Sequence, residues 1–173
     1  MQTVETKSPT AFKKVLSILI SLLALAILSI AIFIAIPGEK TMFAGKRPAN
    51  LGASSGQLAP CPSSPNCVSS FSQDAEHQIE PLTYNSAPAA AMANLKGAIE
   101  SLPKTKIIAE TDNYLYAEFT SSLMGFVDDV EFLLDEGAKV IHVRSASRLG
   151  QSDMGVNRKR IETIRTQLDR LSS

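Results

Sequence analysis

The sequence has no tryptophan, two cysteines and two histidines, and its 17 basic residues are matched by 17 acidic ones. Each shortage excludes something. His77 and His142 with Cys61 and Cys67 are too few for a closed zinc site unless carboxylates join them, so no metal and no cofactor is expected. Zero net charge leaves no global field to attract nucleic acid, and none is expected as a partner. There is no G-x-S-x-G elbow to present a nucleophilic serine. The adjacent carboxylates Asp128 and Asp129 would point to opposite faces of a strand, so they cannot act as a pair on one substrate. An enzyme is therefore not the favoured reading. A hydrolase built on Asp, His and Arg residues of the hairpin described below is one alternative, and a Cys-based redox or metal-handling domain is the other.

Charge is also missing from one long run. Residues 15–36, VLSILISLLALAILSIAIFIAI, contain none. At about 1.5 Å per residue they reach roughly 33 Å, enough to cross the hydrocarbon core of a bilayer. A secretory leader has a shorter apolar region followed by a small-x-small cleavage site. Here the clearest such match, Ala24-Leu25-Ala26, lies in the middle of the run, so an uncleaved transmembrane helix is expected after a polar tail, 1–14. The lipid bilayer is thus a partner through residues 15–36. Basic residues before the run (Lys7, Lys13, Lys14) and after it (Lys40, Lys46, Arg47) nearly balance. The cysteine pair decides the orientation. It suits one disulfide in an oxidising compartment, which places a single-pass protein in the inner (cytoplasmic) membrane with its C-terminal domain outside the cytoplasm.

Residues 37–60, rich in Gly, Ala, Ser and Pro, read as a flexible linker. A soluble domain, 61–173, follows. It opens on Cys61-Pro-Ser-Ser-Pro-Asn-Cys67, where two prolines restrict the chain and the short spacing allows the cysteines to bond. Residues 78–84 read as an edge strand, because Pro81 cannot donate to a central ladder. Ser86 or Asn85 can cap a helix that carries Pro88 in its first turn, shows Met92, Leu95, Ile99 and Leu102 at helical spacing, and ends at Pro103. Strand patterns follow at 106–110, 114–121, 126–134 and 139–148. In the second of these, Leu115, Ala117 and Phe119 alternate with Tyr114, Tyr116 and Glu118.

The last two strands pair across a turn at Glu136-Gly137. The expected register sets Leu134 opposite Lys139, Phe132 opposite Ile141 and Val130 opposite Val143 on an apolar face. It sets Glu131 opposite His142 and Asp129 opposite Arg144 on the other, while Asp128 falls on the apolar face across from Ser145 and needs an arginine or backbone N–H groups. Gly150 and Gly155 bracket a bend holding Ser152 and Asp153, both natural helix caps. Met154, Asn157, Ile161, Ile164, Leu168 and Leu171 then form a helical stripe, with the Asn157 amide where an apolar residue would be expected. The fold class is α+β: an antiparallel sheet of four to five strands with two helices on one face, in the order β-α-β-β-β-β-α, preceded by the transmembrane helix.

Three motifs, PCPSSPNCVSS, FVDDVEF and VRSASRLGQSDMGVNRKR, resemble those of the DUF1499 family, domains of unknown function from bacteria and plastid-bearing organisms. The likeness covers about Leu58 to Leu171. It implies no mechanism, but it implies that the cysteine loop and the Asp/Arg hairpin belong to one site or one structural network. The function expected is that of a membrane-anchored module that binds a ligand or partner or serves structurally. Asp128, Arg144, Arg148, Ser152, Asp153, Asn157 and Arg158 are the candidate ligand-binding residues, because arginines beside a helix start and glycine turns can hold a carboxylate or phosphate. A small anionic ligand or a membrane protein is the expected partner. The competing reading is that these arginines simply pair with nearby acids, and it is favoured for most of them.

Overall fold

The structure, a computed structural model, describes residues 9–35 and 43–172, with side chains of the first helix described from 11 to 30. The chain divides into two compact units, one ending at Glu39 and the other beginning at Lys40.

The first unit is helix α1, Pro9–Ala35. It starts inside the expected polar tail, since a proline at the first helical position gives up no hydrogen bond. Ile36, the expected end of the span, lies outside the described residues, as do residues 1–8 of the tail. Between Ala11 and Ile30 the helix has a mean hydropathy of 2.2 and buries none of its surface. That surface is apolar enough to cross a membrane.

The second unit contains β1 (Cys67–Ser69), β2 (Leu82–Thr83), α2 (Pro88–Glu100), β3 (Thr105–Glu110), β4 (Tyr114–Thr120), β5 (Val127–Asp135), β6 (Val140–Ser147) and α3 (Val156–Ser172). The sheet is antiparallel in the order β1-β6-β5-β4-β3, and β2 shares the outer side of β6 with β1. Period-two alternation assigns its faces. Leu115, Ala117, Phe119, Val130, Phe132, Ile141 and Val143 join Leu95 and Ile99 of α2 and Ile161, Ile164 and Leu168 of α3 in one core. Phe132 is fully buried there, and truncating such a side chain to alanine costs about 3–5 kcal/mol.

The α+β class and the helix pair hold, and several details differ. Six strands form instead of four or five, because Cys67–Ser69 extends the sheet along Arg144–Ala146. The edge strand expected at 78–84 shrinks to Leu82–Thr83. Neither Ser86 nor Asn85 caps α2: Ala87 stands at that position without a side-chain bond, and Pro88 begins the helix. Met154 precedes α3 and is 96% exposed, so it is outside the core stripe.

The hairpin register is displaced by two residues. Leu134 faces Ile141, Phe132 faces Val143, Glu131 faces Arg144, Asp129 faces Ala146 and Asp128 faces Ser147. The loop is 136–139 rather than one centred on Glu136-Gly137, because the Asp135 carboxylate accepts the Ala138 N–H at 2.9 Å and Lys139 takes a left-handed φ of 54°. A two-residue slide preserves parity, so every side chain keeps its expected face and changes its partner.

Residues 43–60 also depart from expectation. Composition reads them as part of a flexible linker, yet they lie over the sheet face opposite the helices. Leu58 is buried, the Gly52 N–H reaches Glu131, and Arg47 reaches Glu118.

Candidate functional site

The sheet face under this strap is ionic. β4 contributes Tyr114, Tyr116 and Glu118, β5 contributes Asp129 and Glu131, and β6 with the residue after it contributes Arg144 and Arg148. Arg148 grips Asp129 with two nitrogens, Nε at 2.9 Å from Oδ2 and Nη2 at 2.7 Å from Oδ1. Its Nη2 also donates to Glu118. The Tyr116 hydroxyl donates to Asp129 at 2.5 Å, and Arg47 donates to Glu118 through Nε at 2.8 Å and Nη2 at 2.6 Å. Beside this cluster, fully buried Glu131 accepts from Arg144 at 3.2 Å, from the Tyr114 hydroxyl at 2.8 Å and from the Gly52 N–H at 2.7 Å.

Three acids thus meet three arginines, Arg47 half-exposed and Arg144 and Arg148 buried, and beneath the strap an uncompensated charge would be costly. Burial opposes ionisation of Glu118, but hydrogen bonds from Arg148 and Arg47 outweigh it and hold that carboxyl below its usual range. The bond to Asp129 is the main reason the Arg148 guanidinium is held above its ordinary value. Burial, then the neighbouring carboxylates, pushes the Tyr114 and Tyr116 hydroxyls up. Among the described residues, the only buried side-chain nitrogen or oxygen without a hydrogen-bond partner is Nε of Arg144.

A second network joins α3 to the sheet. Asp128, alone on the apolar face, pairs with Arg160, whose guanidinium lies 4.9 Å from the centre of the Phe119 ring. The fully buried Asn157 amide donates to the Asn66 carbonyl at 2.9 Å and to Ser147 Oγ at 3.0 Å, and its oxygen accepts from Ser145 Oγ at 2.6 Å. Asn66 in turn donates to the Gly150 carbonyl at 2.6 Å. The Asp153 carboxylate caps α3, accepting from Gly155 N–H at 3.0 Å and Asn157 N–H at 2.7 Å, while Ser152 Oγ accepts from Met154 N–H. The cysteine loop, the Asp-bearing strand and the glycine bend therefore form one hydrogen-bonded network.

A cleft of about 690 Å³ opens beside that loop, lined by Leu58, Pro60, Phe71, Ser72, Asp74 and His77 among others. Cys61 of the Cys61–Cys67 disulfide is among its lining residues. His77 is buried with both ring nitrogens facing acceptors, Nδ1 2.6 Å from Asp74 and Nε2 3.2 Å from the Ser64 carbonyl. Burial disfavours its cation, yet the two acceptors prevail and raise its pKa above 6.5.

The seven candidate residues do not converge on one ligand position. Arg144 and Arg148 serve the ionic face, whereas Asp128, Ser152, Asp153 and Asn157 serve the α3 junction. Arg158 donates to the carbonyls of Gln78 and Glu76, anchoring the segment before β2. Sequence reasoning missed Asn66, whose polar side chain gave no periodic signal, and Arg47, hidden in an apparent linker. It also missed the surroundings of His142. Nδ1 of that ring is 3.1 Å from Ser70 Oγ, and Nε2 is 3.9 Å from Asp135 Oδ2. Ser70 Oγ also accepts the Val143 N–H at 3.0 Å, and Phe71 stacks on the imidazole at 4.2 Å.

Fold and networks together define a small α+β domain stapled by one disulfide, in a chain that also carries an apolar helix long enough to span a bilayer. The model of the family described as "Protein of unknown function (DUF1499)" matches residues 57–168, and the chain belongs to that family. No curated protein matches it.

Proposed function

We propose that the chain is a single-pass protein of the inner (cytoplasmic) membrane, anchored by α1, with its α+β domain outside the cytoplasm and acting as a binding module. The anchor rests on the length and apolarity of α1, and the compartment rests on the disulfide. In this reading the ionic face and the α3 junction are structural, and the ligand is met at the cleft beside the cysteine loop. The observation that carries it is how completely the arginines are engaged while the cleft stays open. Its exposed charge is the Asp74 carboxylate, set among prolines, serines and Phe71. That lining suits a neutral or cationic group, such as an extended basic segment of a membrane protein. A small anion is the weaker variant, since Arg144, Arg148 and Arg158 already donate to protein acceptors and the unpaired Nε of Arg144 is buried.

Two measurements test this. Fusions after residue 173 should give active alkaline phosphatase and dark fluorescent protein; the reverse pattern overturns the orientation. The full chain in nanodiscs should bind a short lysine-containing peptide and lose at least about tenfold in affinity on Asp74→Lys, a change of about 1.4 kcal/mol. Saturable binding of inorganic phosphate with no peptide binding overturns the cleft assignment.

A hydrolase is the second reading, favoured by the Ser70–His142–Asp135 alignment. The 3.9 Å gap to Asp135 exceeds a hydrogen bond, and Ser70 Oγ is already held by Val143. Labelling of Ser70 by a fluorophosphonate would establish this reading, and an unlabelled folded protein would remove it.

A further inference from the structure

Antiparallel pairing brings five segments to one end of the sheet. The β4–β5 loop and the β6–α3 loop emerge there, because Asp128 at the start of β5 faces Ser147 at the end of β6. The α2–β3 turn joins them, since Thr105 faces Phe119, and so does the cysteine loop, since Cys67 faces Ala146. The fifth segment is the start of the strap. Phe43 stacks on Phe126 with ring centres 5.1 Å apart, and Gly45 lies against Leu149.

This end is also where the domain exposes its large apolar side chains. Leu123 is 83% exposed and Met154 is 96% exposed, with Met124, Phe126 and Leu149 partly so. Among the described residues beyond α1, every large exposed apolar side chain except Leu171 lies within 123–126 or 149–156. Loop tips are ordinarily polar, so apolar groups gathered on adjoining loops mark a surface that meets something apolar. The charges beside them are mostly positive. Lys46 and Lys104 are exposed, Arg47 and Arg148 are paired, and the single acid of these loops, Asp153, caps α3.

The covalent path indicates what covers this end. Residues 36–42 alone separate the end of α1 from Phe43, a path of at most about 28 Å when fully extended. We infer that the apolar tip formed by Phe43, Leu123, Met124, Phe126 and Leu149 seats in the interfacial layer of the bilayer that α1 crosses. Its lysines then face lipid phosphates. This rests on the anchoring proposed above and adds an orientation to it. The tip lies on the lipid, and the cysteine loop, which emerges at the same end of the sheet, is held close to the membrane surface. A shallow apolar insertion beside cations is the physical pattern of interfacial binding, in which burial of apolar area and attraction to anionic lipid act together.

Both native cysteines are in the disulfide, so one added thiol can be labelled selectively without reductant. The full chain is reconstituted in vesicles of phosphatidylcholine and phosphatidylglycerol. An environment-sensitive fluorophore is placed on Leu123→Cys, on Asp112→Cys in the turn at the opposite end of the sheet, or on Leu22→Cys within α1. Nitroxide near the lipid headgroup should quench the Leu123 probe at least about twofold more than the Asp112 probe, and nitroxide deep in the acyl chain should quench the Leu22 probe. Equal quenching at 123 and 112, with the Leu22 probe quenched, overturns the tip and leaves the anchor standing. A Leu123 probe that is blue-shifted but unquenched by lipid also overturns it and assigns the surface to a second copy of the chain. An unquenched Leu22 probe removes the anchor, and the tip with it. Thermal unfolding of Leu123→Cys should match the parent, because that side chain packs against little.

Discussion

Arg148 lies just beyond the last strand and holds Asp129 of the neighbouring strand through two nitrogens, Nε and Nη2, at 2.9 and 2.7 Å. The pair ties the end of β6 to β5 under the strap. Both side chains are more than nine-tenths buried. Removing one charge from such a pair strands the other, at a cost of about 3–5 kcal/mol. Arg148→Ala and Asp129→Ala should each lower stability by that amount in chemical unfolding. The double replacement Asp129→Leu with Arg148→Met should recover much of it. A double variant as unstable as the sum of the singles would mean that the pair is not acting as a unit.

Gly45 tests whether the strap belongs to the domain. Its φ is +67°, and a Cβ there would sit 2.9 Å from Arg148 Cβ and 3.0 Å from Leu149 Cγ. Gly45→Ala should therefore cost about 1–3 kcal/mol from left-handed strain and crowding. It should also speed hydrogen exchange at the Gly52 N–H, which is bonded to Glu131. A free linker would show neither effect.

That segment marks the boundary of what was legible. Alternation in 114–120 and 127–134 assigned each side chain to its face, since only period matters for that choice. Partners depended on turn length, and the turn at 136–139 is set by the Asp135 side chain and a left-handed lysine, which no periodicity reports. Asp128 was recognised as an acid needing an arginine or backbone N–H groups, and Arg160 is the partner it finds. Arg47 and Gly52 were invisible for a different reason. Their composition is that of a linker, and their order comes from long-range contacts with Glu118 and Glu131 rather than from local preference.

The disulfide closes a short loop, so its contribution is bounded. For seven residues the chain-entropy relation gives about 2 kcal/mol. Replacing Cys61 and Cys67 by serine together should lower stability by about that much and leave the helix-face core intact. Hydrogen exchange should rise mainly at Asn66 and Asp74–His77, around the cleft.

The two histidines should give opposite pH dependences. His77 has a raised folded pKa, so its stabilisation is full below about 6.5 and is lost as pH rises through that folded value. Burial lowers the pKa of His142, with Asp135 opposing, so its stabilisation is full above about 6.5 and is lost as pH falls through the lowered value. Taken alone, the pair places maximal stability near pH 6.5. His77→Gln should flatten the loss on the alkaline side, and His142→Gln the loss on the acid side. Unfolding midpoints measured from pH 5 to 8 would show this, and an alkaline limb unchanged in His77→Gln would assign it to other groups.

Asn157 joins the first and third motif segments, because its amide meets the Asn66 carbonyl, Ser145 and Ser147 while its backbone is capped by Asp153. It is fully buried, so removing the amide leaves several polar groups without partners in a site that water does not reach. Asn157→Ala should destabilise by about 2–4 kcal/mol, and Asn157→Leu, though better suited to an apolar stripe, should fare no better. Asn66→Ala should cost less, since water can replace part of its bond to Gly150. Asn157→Ala and Ser145→Ala together should be less than additive by at least about 0.5 kcal/mol, because Ser145 Oγ donates to the Asn157 side-chain oxygen and each replacement removes the other's partner. Strict additivity in urea unfolding would mean that α3 is held to β6 by contacts other than this pair.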